Sequence, residues 1–206
     1  MHDIDKIIEE QMKRWTMKTK SSQKPWPVIS ISREFGTSGA ALGENIANHL
    51  KFSLWHKNIL QKIAEQTGMS EDFLQTLDEQ NRNELEDMIS GALLGKIGTE
   101  TEYVRQLYKI FKVIQHHGSS VVIGRGSQFI LDDDKALKVR IVAPFDTRVA
   151  LVEKREKWSK DKATKETTEH DQQRQKFHQH YYSKDVSFAP YYDLVINIVA
   201  LSIDSA

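Results

Sequence analysis

Residues 28–40 read VISISREFGTSGA, and this stretch decides the fold of the 206-residue chain. Its first five residues form a short run rich in β-branched side chains, which predicts a strand. Two glycines follow, Gly36 and Gly39, and apolar residues at helical spacing begin at Leu42. A strand that feeds a glycine-bearing turn and then a helix presents unpaired backbone N–H groups and the positive end of a helix dipole. The order therefore predicts a phosphate-binding turn.

The turn does not match the usual phosphate-binding loop, GxxxxGK followed by Ser or Thr. Aligned from the strand, the pattern falls on residues 33–40, where its glycines become Arg33 and Ser38, its lysine Gly39 and its hydroxyl residue Ala40. The lysine that reaches the phosphates and the hydroxyl that reaches Mg²⁺ are both missing. Two interpretations stay open: a phosphate-binding turn built from Gly36, Thr37, Ser38, Gly39 and Ala40, or a tight turn without a ligand.

The remaining sequence predicts an α/β fold. Further strands are predicted at 120–124, 137–142 and 194–198, and helices over most of 59–114 and at 146–157. Residues 160–183 are very polar with a helical centre, which fits a solvated helical hairpin or a lid. Strands separated by helices predict a three-layer architecture, in which a parallel sheet is flanked by helices.

The N-terminal part predicts an amphipathic helix, because Ile4, Ile8 and Trp15 lie at helical spacing. A polar stretch and Pro25-Trp26-Pro27 follow and predict a linker. We therefore divide the chain into an N-terminal helix and linker, 1–24, and an α/β domain, 25–206. The helix either packs on its own domain or mediates self-association.

Composition restricts the function classes. The 29 basic residues equal the 29 acidic ones, which argues against a general nucleic-acid binder. There is no cysteine, so disulfides and thiolate metal sites are excluded. No apolar stretch has the length of a membrane helix or the character of a signal peptide, and we expect a cytoplasmic protein.

Several segments, taken in order, resemble the cytidylate-kinase-like family. Residues 31–36, ISREFG, with Gly39 and Gly43, resemble the family's opening motif, which lacks the usual lysine. Residues 56–60, 122–126, 171–174 and 192–197 resemble its later segments. The resemblance implies a nucleoside-monophosphate-kinase fold with a helical acceptor-binding region at 56–117 and a lid at 158–184.

The resemblance also implies an activity and a set of site residues. The expected reaction is transfer of a phosphoryl group from ATP, with Mg²⁺ bound to its phosphates, to CMP or a related pyrimidine nucleotide. Arg33 and the turn would hold donor phosphate. The acceptor would be bound by Gly124, Arg125 and Gly126, while Asp171 and Arg174 would act from the lid.

The departures from the family pattern favour an alternative to the phosphoryl-transfer activity. Ala40 replaces an arginine, Ser38 a glycine and His56 an aspartate. These changes fit a nucleotide- or phosphate-binding module without turnover, in regulation or assembly. A third interpretation is a helical assembly protein that uses the N-terminal helix and Trp26.

Other charged groups have simpler interpretations. We expect Arg148 and Arg155 to lie on a solvated helix face, paired with Glu153 or Glu156. We expect no metal site in the side chains, since a polar helix face explains His170, His178 and His180 better than a metal centre does.

Overall fold

A five-stranded, fully parallel sheet forms the centre of the molecule. The computed structural model describes residues 4–18, 27–65, 67–77, 79–92 and 99–199. The strands are β1 (Val28–Arg33), β2 (Ser53–Trp55), β3 (Ser120–Ile123), β4 (Ala136–Val142) and β5 (Leu194–Asn197). Their order across the sheet is β2-β3-β1-β4-β5. Four of the strands were predicted, whereas the three-residue β2 was not.

Helices cover both faces of this sheet. They are α1 (Ile4–Lys18), α2 (Gly39–Leu50), α3 (Lys57–Glu65), α4 (Thr67–Leu74), α5 (Glu79–Ala92), α6 (Thr99–His117), α7 (Phe145–Glu156) and α8 (Lys160–Tyr182). One apolar cluster joins α2 to one face of the strands, and a larger cluster joins the other face to α1 and α3–α6. The predicted α/β class, a parallel sheet with helices on both faces, is confirmed.

Helix α1 packs on its own domain. Trp15 is buried and stacks on His117, with ring centroids 4.3 Å apart, and it also contacts Trp55 and Phe73. The Gln11 side chain donates a hydrogen bond to the carbonyl of Leu54 on the edge strand β2, at 2.7 Å. The helix therefore covers a sheet edge that would otherwise expose backbone groups. The predicted linker before Pro27, with Trp26, lies outside the described residues.

The parallel arrangement fixes where a ligand can bind. All five strands end at the same edge of the sheet, and the chain leaves the central strand β1 for β2 on one side and later places β4 on the other. Ligands of open α/β sheets bind at the crevice that such a reversal creates. The turn after β1 and the Gly124–Gly126 segment after β3 both lie at this edge.

Helix α8 is one continuous helix rather than the helical hairpin considered above. Ser159 begins it as an N-cap, and Ser183 ends it in a left-handed conformation. Ala163, Thr167 and His178 are buried against the body, and Phe177 and Tyr182 pack on the larger apolar cluster. Within the described ranges no helix is both long and apolar enough to cross a membrane.

Candidate functional site

The turn after β1 leaves a row of backbone donors free. Gly36 has φ +87° and Ser38 has φ +55°, so the chain turns sharply before α2 begins at Gly39. Ser38 makes no side-chain capping bond. Within the part of the chain that the structure describes, the backbone N–H groups of residues 38–41 donate no hydrogen bond to a backbone carbonyl. Consecutive free amides at a helix N-terminus form an anion-binding concavity.

Glycine is required at position 36 by close packing as well as by its positive φ. A Cβ there would lie 2.8 Å from the carbonyl oxygen of Arg148 on α7. Thr37 is buried, and its hydroxyl donates to the carbonyl of Glu34 at 2.9 Å, which closes the turn internally. The turn is therefore closed by its own hydrogen bond and packed against α7.

Arg33, the last residue of β1, lies beneath the crevice. Its guanidinium packs so closely on Gly124 that a side chain at that position would collide with it. Burial, with smaller contributions from Arg174 and Arg125, lowers the pKa of Arg33 to about 9. A cation in such surroundings is costly unless an anion is supplied.

Three further cations surround Arg33. Arg174 of α8 donates to the carbonyl of Arg33 at 2.9 Å. The pKa of Lys57, at the start of α3, is lowered by burial and then by Arg125, Arg33 and Arg174. Among the described residues, no carboxylate forms an ion pair with any of these four side chains. We call Arg33, Lys57, Arg125 and Arg174 the cation cluster.

Arg125 has an unusual backbone and a well-defined side chain. It has φ +56° between two glycines that also have positive φ, which is uncommon for a residue with a side chain. The hydroxyl of Tyr182 donates to its carbonyl at 2.6 Å and fixes the backbone. Its guanidinium donates to the Gln61 side chain and lies 5.1 Å from the ring centre of Phe177.

Asp171 is engaged with the protein itself. One carboxylate oxygen pairs with Arg148 at 2.5 Å, and the other accepts the backbone N–H of Phe35 at 3.1 Å. Arg148 is buried rather than solvated, so our expectation for it was wrong: it pairs with Glu34 and Asp171, not with Glu153 or Glu156. Arg155 does pair with Glu156, as expected.

A cavity of about 160 Å³ lies between α8 and the ends of β1, β3 and β4. Arg33, Gly124, Arg140, Arg174 and His178 are among the residues that line it. His178 donates from Nδ1 to the carbonyl of Arg174 at 2.7 Å, and burial lowers its pKa to about 4. The imidazole is thus neutral near pH 7. The charged groups that line the cavity are the guanidinium groups of Arg33, Arg140 and Arg174 and the carboxylates of Glu34, Asp171 and Asp185.

The carboxylates nearest the turn are already neutralised. Glu34 contacts Arg140 at 3.5 Å and Arg148 at 3.3 Å. No group of three or more His, Asp or Glu side chains suitable for a metal ion occurs among the residues described. A divalent ion at this site would therefore have to be held mainly by oxygens of its own ligand and by water.

The structure brings several of the residues singled out from the sequence to the same edge of the sheet. Arg33, Gly124, Arg174 and Asp171 line the cavity, with the Asp171 carboxylate paired to Arg148. The turn residues 36–40 and Arg125 are not part of its lining, and Gly126 packs on the Tyr182 ring. Sequence reasoning did not identify Lys57, Gln61 or Arg140 as site residues. Lys57 could have been found had the short strand β2 before it been recognised.

Comparisons with other proteins agree with this architecture. A solved structure of an uncharacterized protein from Eubacterium ventriosum superposes with a TM-score of 0.66 over 86% of this chain and 94% of that one. At 23% sequence identity, this likeness shows the fold alone. No curated protein sequence matches the chain. The model of the cytidylate kinase-like family matches residues 28–200, from β1 to just beyond β5. The chain therefore belongs to the cytidylate kinase-like family.

Proposed function

We propose that the protein transfers a phosphoryl group from ATP to a nucleoside monophosphate, with CMP or a related pyrimidine nucleotide as acceptor. The observation that carries this proposal is the cation cluster, four positive side chains that converge at the carboxyl ends of β1, β2 and β3 and form no ion pair with a carboxylate among the described residues. Phosphoryl transfer needs mainly positioning and positive charge around the phosphate oxygens.

Each part of the site has a separate task in this proposal. The backbone amides of Gly36, Thr37, Ser38, Gly39 and Ala40 hold donor phosphate, with Arg33 beneath them. On the other side, Arg125 binds the acceptor, and Gly124 beside it leaves space for the guanidinium of Arg33. Arg174 bridges the two from α8 and supplies charge that the missing lysine would provide. Mg²⁺ bound to the phosphates of ATP would neutralise part of their charge.

Asp171 takes a positioning task. Its bonds to Arg148 and Phe35 N–H hold α8 over the turn, which places Arg174 at the cluster. Gly126 likewise acts through packing, because its missing side chain lets Tyr182 support the backbone of Arg125. The predicted lid is thus supported as a helix that meets the turn, and its opening and closing remain a prediction.

A module that binds phosphate without turnover is the second candidate. Ala40 and His56 favour it, because they stand where the family pattern has an arginine and an aspartate, and both changes remove a charged group from the expected phosphate and acceptor sites. The same free amides and arginines would then hold a nucleotide or a phosphate group as a regulatory ligand.

One experiment separates the two candidates. Purified protein is incubated with ATP-Mg²⁺ and each nucleoside monophosphate in turn, and diphosphate formation is followed by chromatography. The enzyme proposal expects a diphosphate from at least one pyrimidine monophosphate, with loss of product in Arg33→Met and Arg174→Met. Nucleotide binding without any product, in protein shown to be folded, would reject the enzyme and support the module.

A further inference from the structure

Arg125 is held in place by an amide where a carboxylate would be the commoner partner. The Gln61 side chain on α3 accepts a hydrogen bond from the guanidinium through Oε1. Its amide nitrogen donates to Glu65 at 2.7 Å, one helical turn further on. This second bond decides which end of the amide faces Arg125, because only the oxygen can accept from a guanidinium.

The other contacts of Arg125 are also neutral. Its guanidinium carbon lies 5.1 Å from the ring centre of Phe177 and 5.9 Å from that of Tyr103. Aromatic faces attract a cation without cancelling its charge. The Nε atom of Arg125 is buried and has no hydrogen-bond partner among the described residues. The side chain is therefore oriented by one amide and two rings, and its Nε–H group remains available as a hydrogen-bond donor.

A carboxylate at the same place would have a different effect. It would bind the guanidinium in a charge-assisted pair and compete with any anionic ligand. An amide oxygen orients the same group and leaves the net charge available. That charge acts on the neighbouring cations, since Arg125 is among the groups that lower the pKa of both Arg33 and Lys57, after burial in each case.

We infer that Gln61 is a positioning residue that orients Arg125 toward a phosphate-bearing ligand while leaving the charge of the guanidinium uncompensated. The inference rests on the proposed function for the identity of that ligand, the phosphate of the acceptor nucleotide. It does not require turnover, because the effect of Gln61 is on binding an anion.

The test compares phosphate binding in four proteins: the wild type, Gln61→Ala, Gln61→Glu and Gln80→Glu. Gln80 is a matched control, because its amide also donates to a glutamate one turn on, Glu84, at 3.1 Å on the exposed surface of α5. Both Gln→Glu changes add one negative charge and the same repulsion within a helix. Inorganic phosphate is the probe, and its dissociation constant is measured by calorimetric titration.

We expect Gln80→Glu to stay within about twofold of the wild type, because its charge is remote and screened. Gln61→Ala should weaken phosphate binding severalfold, since Arg125 loses its orientation. Gln61→Glu should weaken it about tenfold or more, the factor that corresponds to a hydrogen bond with a charged group. The melting temperature of Gln61→Glu should not fall below that of Gln80→Glu, because the new carboxylate pairs with Arg125.

A double-mutant cycle distinguishes positioning from a direct or merely structural role. In an Arg125→Ala background, Gln61→Glu should lose most of its effect on phosphate binding. The inference is wrong if Gln61→Glu binds phosphate as the wild type does, if Gln61→Ala is as weak as Gln61→Glu, or if folded wild type binds no phosphate. Phosphate binding in the expected order without any kinase activity would reject the proposed reaction and leave the role of Gln61 intact.

Discussion

Arg148 and Asp171 hold the peptide of Phe35 between them. Arg148 donates to the carbonyl of Phe35 at 3.0 Å, Asp171 accepts its N–H at 3.1 Å, and the two side chains pair with each other at 2.5 Å. Helices α7 and α8 are therefore joined at the turn that presents the free amides. The shape of the turn and the docking of α8 depend on the same two side chains.

Replacing Asp171 with Asn should loosen α8 without unfolding the domain. The change removes a partly exposed charged partner of a buried arginine, and we expect a loss of about 1–2 kcal/mol in the free energy of unfolding. Amide hydrogen exchange in the variant should be faster than in the wild type, and the increase should be largest along α8. The control is Glu156→Gln, which breaks the exposed pair with Arg155 and should cost less than about 0.5 kcal/mol. Equal losses in both variants would contradict a special role for the Asp171 pair.

Replacing Arg33 with Met should separate binding from stability. The buried cation opposes folding when no anion is present, so the ligand-free variant should unfold at the same denaturant concentration as the wild type or at a higher one. Addition of inorganic pyrophosphate should raise the melting temperature of the wild type but not of the variant. A marked loss of stability in the ligand-free variant would mean that Arg33 is a structural residue.

Acid should destabilise the protein through His117. Burial lowers its pKa to about 4 in the folded state, from the ordinary 6.5, so the unfolded chain binds a proton that the folded one does not between these values. The contribution of His117 to stability is complete above pH 6.5 and is lost as the pH falls toward 4. Between pH 7 and pH 5, the free energy of unfolding measured with urea should fall by roughly 2 kcal/mol more in the wild type than in His117→Gln.

The exposed His49 provides the control for this pH dependence. His49→Gln should keep the wild-type difference between the two pH values, because its side chain is open to solvent. His178, whose pKa is also lowered to about 4 by burial, should retain its share of the slope in both variants. An unchanged slope in His117→Gln would show that the ring stacked on Trp15 tolerates a charge.

Helix α1 should prove to be part of the domain core. Trp15→Ala removes a fully packed indole between Trp55, Phe73 and His117, and we expect a loss of about 3–5 kcal/mol in unfolding free energy. Glu10→Ala, on the exposed face of the same helix, should change it by less than about 0.5 kcal/mol. If Trp15→Ala leaves stability intact but changes the sedimentation coefficient, α1 serves self-association instead.

Short-range patterns predicted most of the fold and part of the site. The runs that became β1, β3 and β4 are apolar and β-branched, and the glycine-bearing turn follows directly from β1, so neighbouring residues carried enough information. The strand β2 was missed because three residues, Ser53–Trp55, are too few for a periodic signal.

Two errors came from partners far away in the chain. Arg148 has charged neighbours at helical spacing, which suggests solvated pairs, but its partners Glu34 and Asp171 are brought to it only by the fold. Gln61 looks like any polar residue on a helix surface until β3 places Arg125 beside it. Pairings of this kind have no signature in sequence spacing, which is why Arg148 and Gln61 were not identified.

The strand order has a consequence for how the chain acquires its structure. No two successive strands joined by a tight hairpin exist among those described, and even the pair nearest in sequence, Val139 with Leu194, is separated by α7 and α8. Neither edge of the central strand β1 can pair until its partners have been synthesised, β3 with Val121 on one side and β4 with Leu137 on the other. During synthesis the ribosome releases β1 long before those partners, while the helices after β2 can form from local contacts. We therefore expect slow folding of the sheet after early helix formation, and a nascent chain that depends on chaperones to keep an apolar strand from pairing with other chains.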